Sequence, residues 1–201
     1  VTSHIKVKHP VTLRSSIKKE VNFNVKDIIA RRRGESTKKT EAERHKIHFL
    51  STCWHTTDQH ARKGVFETLE ALAFLKDRTD ILFEWSILGR QGNGIPLLKE
   101  RIKKLGLDDI VKIYVDVSQE EKNIFYLKSD LYIQPSYCEG FGNAVLEAMS
   151  FGLPALVSRY TAQPEVVGDT GYIAMDMRPK TIGKLLIEFV NLSASQRQES
   201  S

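Results

Sequence analysis

The sequence predicts an α/β chain built as a Rossmann-like parallel sheet of about six strands with helices on both faces. Three observations carry this expectation. From residue 46 onward, short apolar runs of strand length alternate with amphipathic stretches of helical period, the order that successive βαβ units produce. Helix boundary signals fall where the alternation needs them: Ser118 with Glu121 reads as a capping box, Gly106 after "LKERIKKL" as a C-cap, and Pro179 as a first-turn proline. With 201 residues, 41% of them hydrophobic, the chain is long enough to bury one good core.

The elements follow in order. "KIHFLS" is the first strand, and after a polar loop Arg62-Lys63-Gly64 opens a helix near 64–77. "ILFEWSIL" precedes a helix near 96–105, and "VKIYV" one near 119–128. "DLYIQP" is a strand ending at Pro135, followed by a helix over about 142–151 whose Ala144, Val145, Ala148 and Met149 face the sheet. "PALVS" and "GYIAM" are the last strands, and a closing helix starts at Pro179. No internal repeat is visible.

Several function classes are excluded early. The longest apolar runs, "ALAFL" and "LLIEFV", fall well short of the roughly 20 residues of a membrane span, and no secretory h-region follows the N-terminus. Cys53 and Cys138 offer neither a disulfide framework nor metal spacing and suit the reduced thiols of a cytoplasmic protein. His55 and His60 lie five apart without a third ligand in sequence, so no metal site is expected. The net charge of +5 is regional: residues 1–46 carry 13 Lys/Arg against 5 Asp/Glu, and residues 47–201 carry 17 against 20. Residues 1–45 therefore read as the basic end of a preceding domain and a linker, with 46–201 as the folded domain. "RRRGESTKKTEAER" interleaves no aromatic residue with its charges, which argues against nucleic acid; a solvated run fits it, with peripheral contact to the acidic cytoplasmic membrane face as the alternative.

In a parallel sheet, ligands bind at the carboxyl ends of the strands, where loops enter helices. Three stretches sit there. In "YCEGFGNAVLEAM" the glycines Gly140 and Gly142 allow close backbone approach, and the helix start suits a phosphate. Glu139 in the loop and Glu147 in the helix are acceptor-only groups suited to hydroxyl-rich ligands. In "WHTTDQHARKGVF", a Lys at a helix start opposes the dipole and hints at an anion that offsets it. In "ILGRQGNGIPLLKE", Gly-x-x-Gly-x-Gly is not the dinucleotide fingerprint, and a plain βα turn is the default.

"SDLYIQPSYCEGFGNAVLEAMSFGLPALVS" resembles the E-x7-E segment of retaining GT-B glycosyltransferases, family four in the sequence classification, in their C-terminal, nucleotide-sugar-binding domain. The resemblance covers roughly residues 46–195. It implies that Glu139 contacts donor-sugar hydroxyls, that Glu147 holds the ribose, and that Phe141 and Gly142 approach the sugar and diphosphate. Lys63 matches the lysine that binds the diphosphate, whereas Ser51-Thr52 stand where Gly-Arg is expected, leaving Arg62 as the substitute. Gly89 and Arg90 would line the nucleotide side, and Val115 to Val117 would lie near the base. Thr161-Ala162 replace a glycine pair before Glu165, which weakens that loop as a donor contact. The implied donor is a UDP-, GDP- or ADP-sugar, with no cofactor and no essential metal. GT-B enzymes need two such domains, so this chain is expected to lack the N-terminal acceptor domain and to bind donor without transferring sugar by itself. The residues alone leave two other readings open: a nucleotide-binding module without catalysis, and a retaining glycosidase using Glu139 and Glu147.

Overall fold

The computed structural model describes residues 46–160 and 162–192. The basic stretch 1–45 and Thr161 lie outside them. Six strands form one all-parallel sheet: β1 (Ile47–Thr52), β2 (Phe83–Gly89), β3 (Val111–Val115), β4 (Leu131–Gln134), β5 (Ala155–Ser158) and β6 (Tyr172–Ala174), in the order β3-β2-β1-β4-β5-β6. The expected fold class is therefore present. The chain winds outward from β1 to β3, then returns to lay β4 on the other side of β1, so the topological switch point lies between β1 and β4.

Among the described residues six helices connect the strands, α1 (Thr57–Arg62), α2 (Val65–Lys76), α3 (Ile95–Lys104), α4 (Gln119–Lys128), α5 (Asn143–Ser150) and α6 (Gln163–Val167), and a seventh, α7 (Pro179–Asn191), follows β6, with one 3-10 turn at Gly168–Thr170. Strand residues alternate between two cores. Phe49, Trp85 and Ile87 pack with Leu69 and Leu72 of α2, Leu98 of α3 and Leu186 and Phe189 of α7. Leu50, Leu88 and Tyr132 pack with Phe125 and Tyr126 of α4 and Val145 and Ala148 of α5. Helices on both faces thus follow from a strand period of two and a helix period of 3.6.

The local signals act as expected. Ser118 Oγ accepts from the Glu121 amide while the Glu121 carboxylate accepts from the Ser118 amide, a full capping box. Gly106, at φ +63, ends α3 in a Schellman motif: its N–H bonds to the Lys103 carbonyl and that of Leu107 to Ile102.

One element departs from expectation. The stretch before Arg62 is not a polar loop but helix α1, which Thr56 caps by accepting from the Gln59 amide. Arg62 and Lys63 therefore lie at the C-terminal end of α1, and α2 begins only at Val65. A cation is favoured there by the helix dipole, so the dipole gives no evidence of an anion beside Lys63. Thr and Asp at a helix start in "TTDQHAR" were the readable signal.

Candidate functional site

The carboxyl ends of β1, β2 and β3 open into a cleft of about 560 Å³ lined by residues including Thr52, Trp54, Arg62, Lys63, Arg90 and Lys122. Four cations face one lining acid, Asp116, so the cleft suits an anion. Ala144, in the first turn of α5, completes the wall beside the switch point. The N-cap of α5 is Gly142, at φ +86, and no side chain caps the helix, so its first amides are open to a ligand. Gly140 and Phe141 are placed just before it, Phe141 with its ring exposed.

Glu139 and Glu147 are not wall residues; each is one hydrogen bond behind a lysine that is. Lys63 Nζ donates to Glu139 Oε1 at 3.1 Å, with both side chains largely buried. The other oxygen, Oε2, is buried without a partner. Lys122 Nζ donates to Glu147 Oε2 at 2.6 Å, Tyr126 OH donates to the same oxygen at 3.2 Å, and Gln119 Nε2 reaches Oε1 at 3.3 Å. The two carboxylates therefore have separate partners: Glu139 faces the β1 side through Lys63, and Glu147 faces α4. Burial, together with the Tyr132 and Glu147 oxygens nearby, holds the Tyr126 phenol protonated, so it remains a donor.

Lys63 is placed by Gly64. At φ +66, a Cβ there would fall 2.3 Å from the Pro135 carbonyl oxygen at the end of β4. That close approach brings the α1–α2 junction onto the loop carrying Glu139, and Tyr137 N–H donating to the Arg62 carbonyl at 2.8 Å ties it there. Arg62 lines the cleft and donates to Gln59 Oε1 at 2.8 Å, with its Nε buried and unpartnered.

The Ser51-Thr52 departure has a packing reason. Ser51 Oγ accepts from the fully buried Trp85 indole at 2.9 Å and donates to the Ile133 carbonyl, joining β2, β1 and β4. Without it the indole N–H would be buried unsatisfied. Thr52 Oγ1 lies 2.8 Å from Tyr132 OH, which donates on to Gln134 Oε1.

Beyond β2 and β3, Gly89 and Arg90 line the cleft, and the Arg90 guanidinium lies 5.5 Å over the Trp54 ring. The wall beyond β3 is made by Asp116 and Val117, while Val115, not itself a lining residue, ends β3 half-buried beside them. Asp116, at φ +51, is the one non-glycine residue with positive φ among those described. The later glycines of "GRQGNG" serve packing: a Cβ on Gly94 would fall 2.6 Å from the Thr56 carbonyl carbon. Glu165 is exposed on α6, away from the cleft wall.

Sequence reasoning missed Gln119, Lys122 and Trp54. For the first two a signal existed: the capping box places positions 119 and 122 on one face of the first turn of α4. Sequence reasoning also left His55 and His60 without company. The structure brings Cys53 beside them, all three buried, with one ligand-type atom from each within 4.8 Å of the others. Burial pushes the Cys53 thiol up to about 12 and the His60 imidazole down to about 4.

Residues 59–200 match the family model of glycosyl transferases group 1. The chain is 31% identical over 113 residues to O-antigen chain mannosyltransferase B of Escherichia coli, covering 56% of this chain and 30% of that protein. It is 32% identical over 136 residues to MMP alpha-(1->4)-mannosyltransferase of Mycolicibacterium hassiacum, covering 68% and 32%. It thus spans about a third of these relatives' length. The fold is shared with Anabaena Alr3699/HepE, solved in complex with UDP and glucose, at TM-score 0.67 and 17% identity over 89% of this chain and 46% of that one.

Proposed function

The chain belongs to the glycosyl transferases group 1 family, and from that premise we propose that it is the donor-binding domain of a retaining glycosyltransferase, moving a sugar from a nucleotide-diphosphate sugar to an acceptor hydroxyl. The observation that carries this reading is the cationic cleft at the switch point, with a carboxylate held behind each of two lysines. Such a cleft fits a ligand with a diphosphate at its centre and a polyol at each end: a ribose toward Glu147 and a hexose toward Glu139. The mannosyl transfer named for two relatives favours a hexose.

Cleaving the bond between the anomeric carbon and phosphate builds negative charge on the leaving diphosphate and positive charge on the sugar ring. Lys63, Arg62 and the uncapped start of α5 are positioned to stabilise the first, and Glu139 to orient the sugar. For this, Lys63 turns from Glu139 Oε1 toward the phosphates, and Glu139 exchanges an ammonium for sugar hydroxyls. Retention then follows from acceptor attack on the face that the diphosphate leaves, with the acceptor held in a site on the N-terminal domain of the parent enzyme. No divalent metal is needed, because Lys63, Arg62 and the helix amides supply the positive field.

Calorimetry of the 201-residue chain with UDP, GDP, ADP and their sugars, without added magnesium or manganese, tests the reading. Binding at micromolar to millimolar levels is expected. Silence from all of them at millimolar concentration would remove it.

A further inference from the structure

A second cluster, of residues that the donor reading does not use, borders the proposed donor cleft at Cys53. We propose that Cys53, His55 and His60 form a zinc site at the floor of the cleft that ties the loop after β1 to the start of the domain's functional edge.

The geometry is close to that of a tetrahedral ion. His55 Nδ1 and His60 Nε2 are 3.2 Å apart. Two nitrogens on one zinc, each at about 2.0–2.1 Å, are about 3.3–3.4 Å apart, so the imidazoles already have ligand spacing. The Cys53 sulfur lies within 4.8 Å of one ring nitrogen of each histidine, and a thiolate on the same ion would sit about 3.5–3.6 Å from each ligating nitrogen, so a closure of at most about 1.3 Å completes the set. The His55 ring is already turned toward the cluster, because its Nε2 donates to the Tyr114 carbonyl at 3.1 Å and leaves the Nδ1 lone pair aimed inward. That is the outer bond that fixes a ligating imidazole.

A purely structural pair is the rival. His60 Nε2–H donating to His55 Nδ1 accounts for the two rings, yet it gives no reason for the Cys53 sulfur beside them. One thiol and two imidazoles are a donor set for zinc and not for magnesium or calcium. On binding, Cys53 gives up its thiol proton to solvent and His60 moves its proton from Nε2 to Nδ1, so two neutral imidazoles and one thiolate hold the ion. A fourth, solvent ligand completes the tetrahedron. The ion would brace residues 53–60, and so the C-terminal end of α1 that presents Arg62 and Lys63.

The test uses the full chain, grown with zinc and freed of loose metal on a chelating resin. About one zinc per chain by elemental analysis is expected. After replacement by Co2+, the protein should show the intense visible bands of tetrahedral cobalt and a near-ultraviolet thiolate-to-cobalt band. Cys53→Ser should abolish the thiolate band, Cys138→Ser should leave it intact, and His60→Gln should weaken cobalt binding at least tenfold. Wild-type protein that retains no zinc and gives no thiolate band would overturn the proposal whatever the variants do. So would a band that follows Cys138. Because these readouts need no nucleotide, their failure is distinct from failure of the donor reading.

Discussion

The Lys63–Glu139 ion pair makes a sharper test of the donor site than either residue alone. The pair is 3.1 Å long, and the two side chains are 11% and 13% exposed. In the proposed donor reading Lys63 is shared between Glu139 and an incoming diphosphate, so removing each partner should move nucleotide affinity in opposite directions. Lys63→Ala deletes a charge-assisted bond to phosphate worth about 1.5–3 kcal/mol, so UDP, GDP or ADP should bind about tenfold to hundredfold more weakly, whatever sugar is attached. Glu139→Gln keeps the shape and removes the competitor. Net of the desolvation of its two charges, the pair contributes about 0.5–1 kcal/mol, so the free nucleoside diphosphate should bind with unchanged to about fivefold higher affinity. The sugar nucleotide should instead bind more weakly, and transfer by the complete enzyme should fall further, since orientation counts more in the transition state. Calorimetry reads all of these affinities, and urea unfolding of each variant confirms that it is folded. If Glu139→Gln weakens free nucleotide as much as Lys63→Ala does, Glu139 does not face the sugar and the assigned division of labour is wrong.

Three further outcomes are expected. Glu147→Ala removes the proposed ribose acceptor and should cost free nucleotide about 1.5–3 kcal/mol, and normal binding by a folded variant would exclude the ribose role. Gly64→Ala places a methyl 2.3 Å from the Pro135 carbonyl oxygen at φ +66, so thermal or urea unfolding should show a loss of about 2–5 kcal/mol, and a neutral result would mean that the junction holding Lys63 is loosely packed. Hydrogen bonding from His48, then Lys46, lowers the Glu84 carboxyl to about 2 against partial burial. A depressed carboxyl stabilises the fold above its unfolded value and loses that contribution as pH falls. With Lys46 40% exposed to screening water, about 1–2 kcal/mol should vanish between pH 4.5 and 2, and Glu84→Gln should flatten that part of the stability profile.

Much of this molecule was legible in one dimension because its signals are local. Strand runs, the Ser118–Glu121 box and the Gly106 cap depend on neighbours within a few residues, and all six expected strands are present. Helix α1 escaped notice because its few residues bury only His60, too little apolar surface to mark a period. The switch point is where β1 meets β4, two strands that begin 84 residues apart, and periodicity says nothing of which strands pair. Resemblance could point to Lys63, Glu139 and Glu147, but only the fold brings Lys63 to Glu139 across 76 residues and Lys122 to Glu147 across 25. The same holds for His55, whose imidazole is set by the Tyr114 carbonyl 59 residues away. Sequence determined the elements and the residue types at the sheet's carboxyl edge. Tertiary structure decided which carboxylate meets which ammonium and which carbonyl orients an imidazole, because those pairings depend on strand order and loop closure, which no local run of residues encodes.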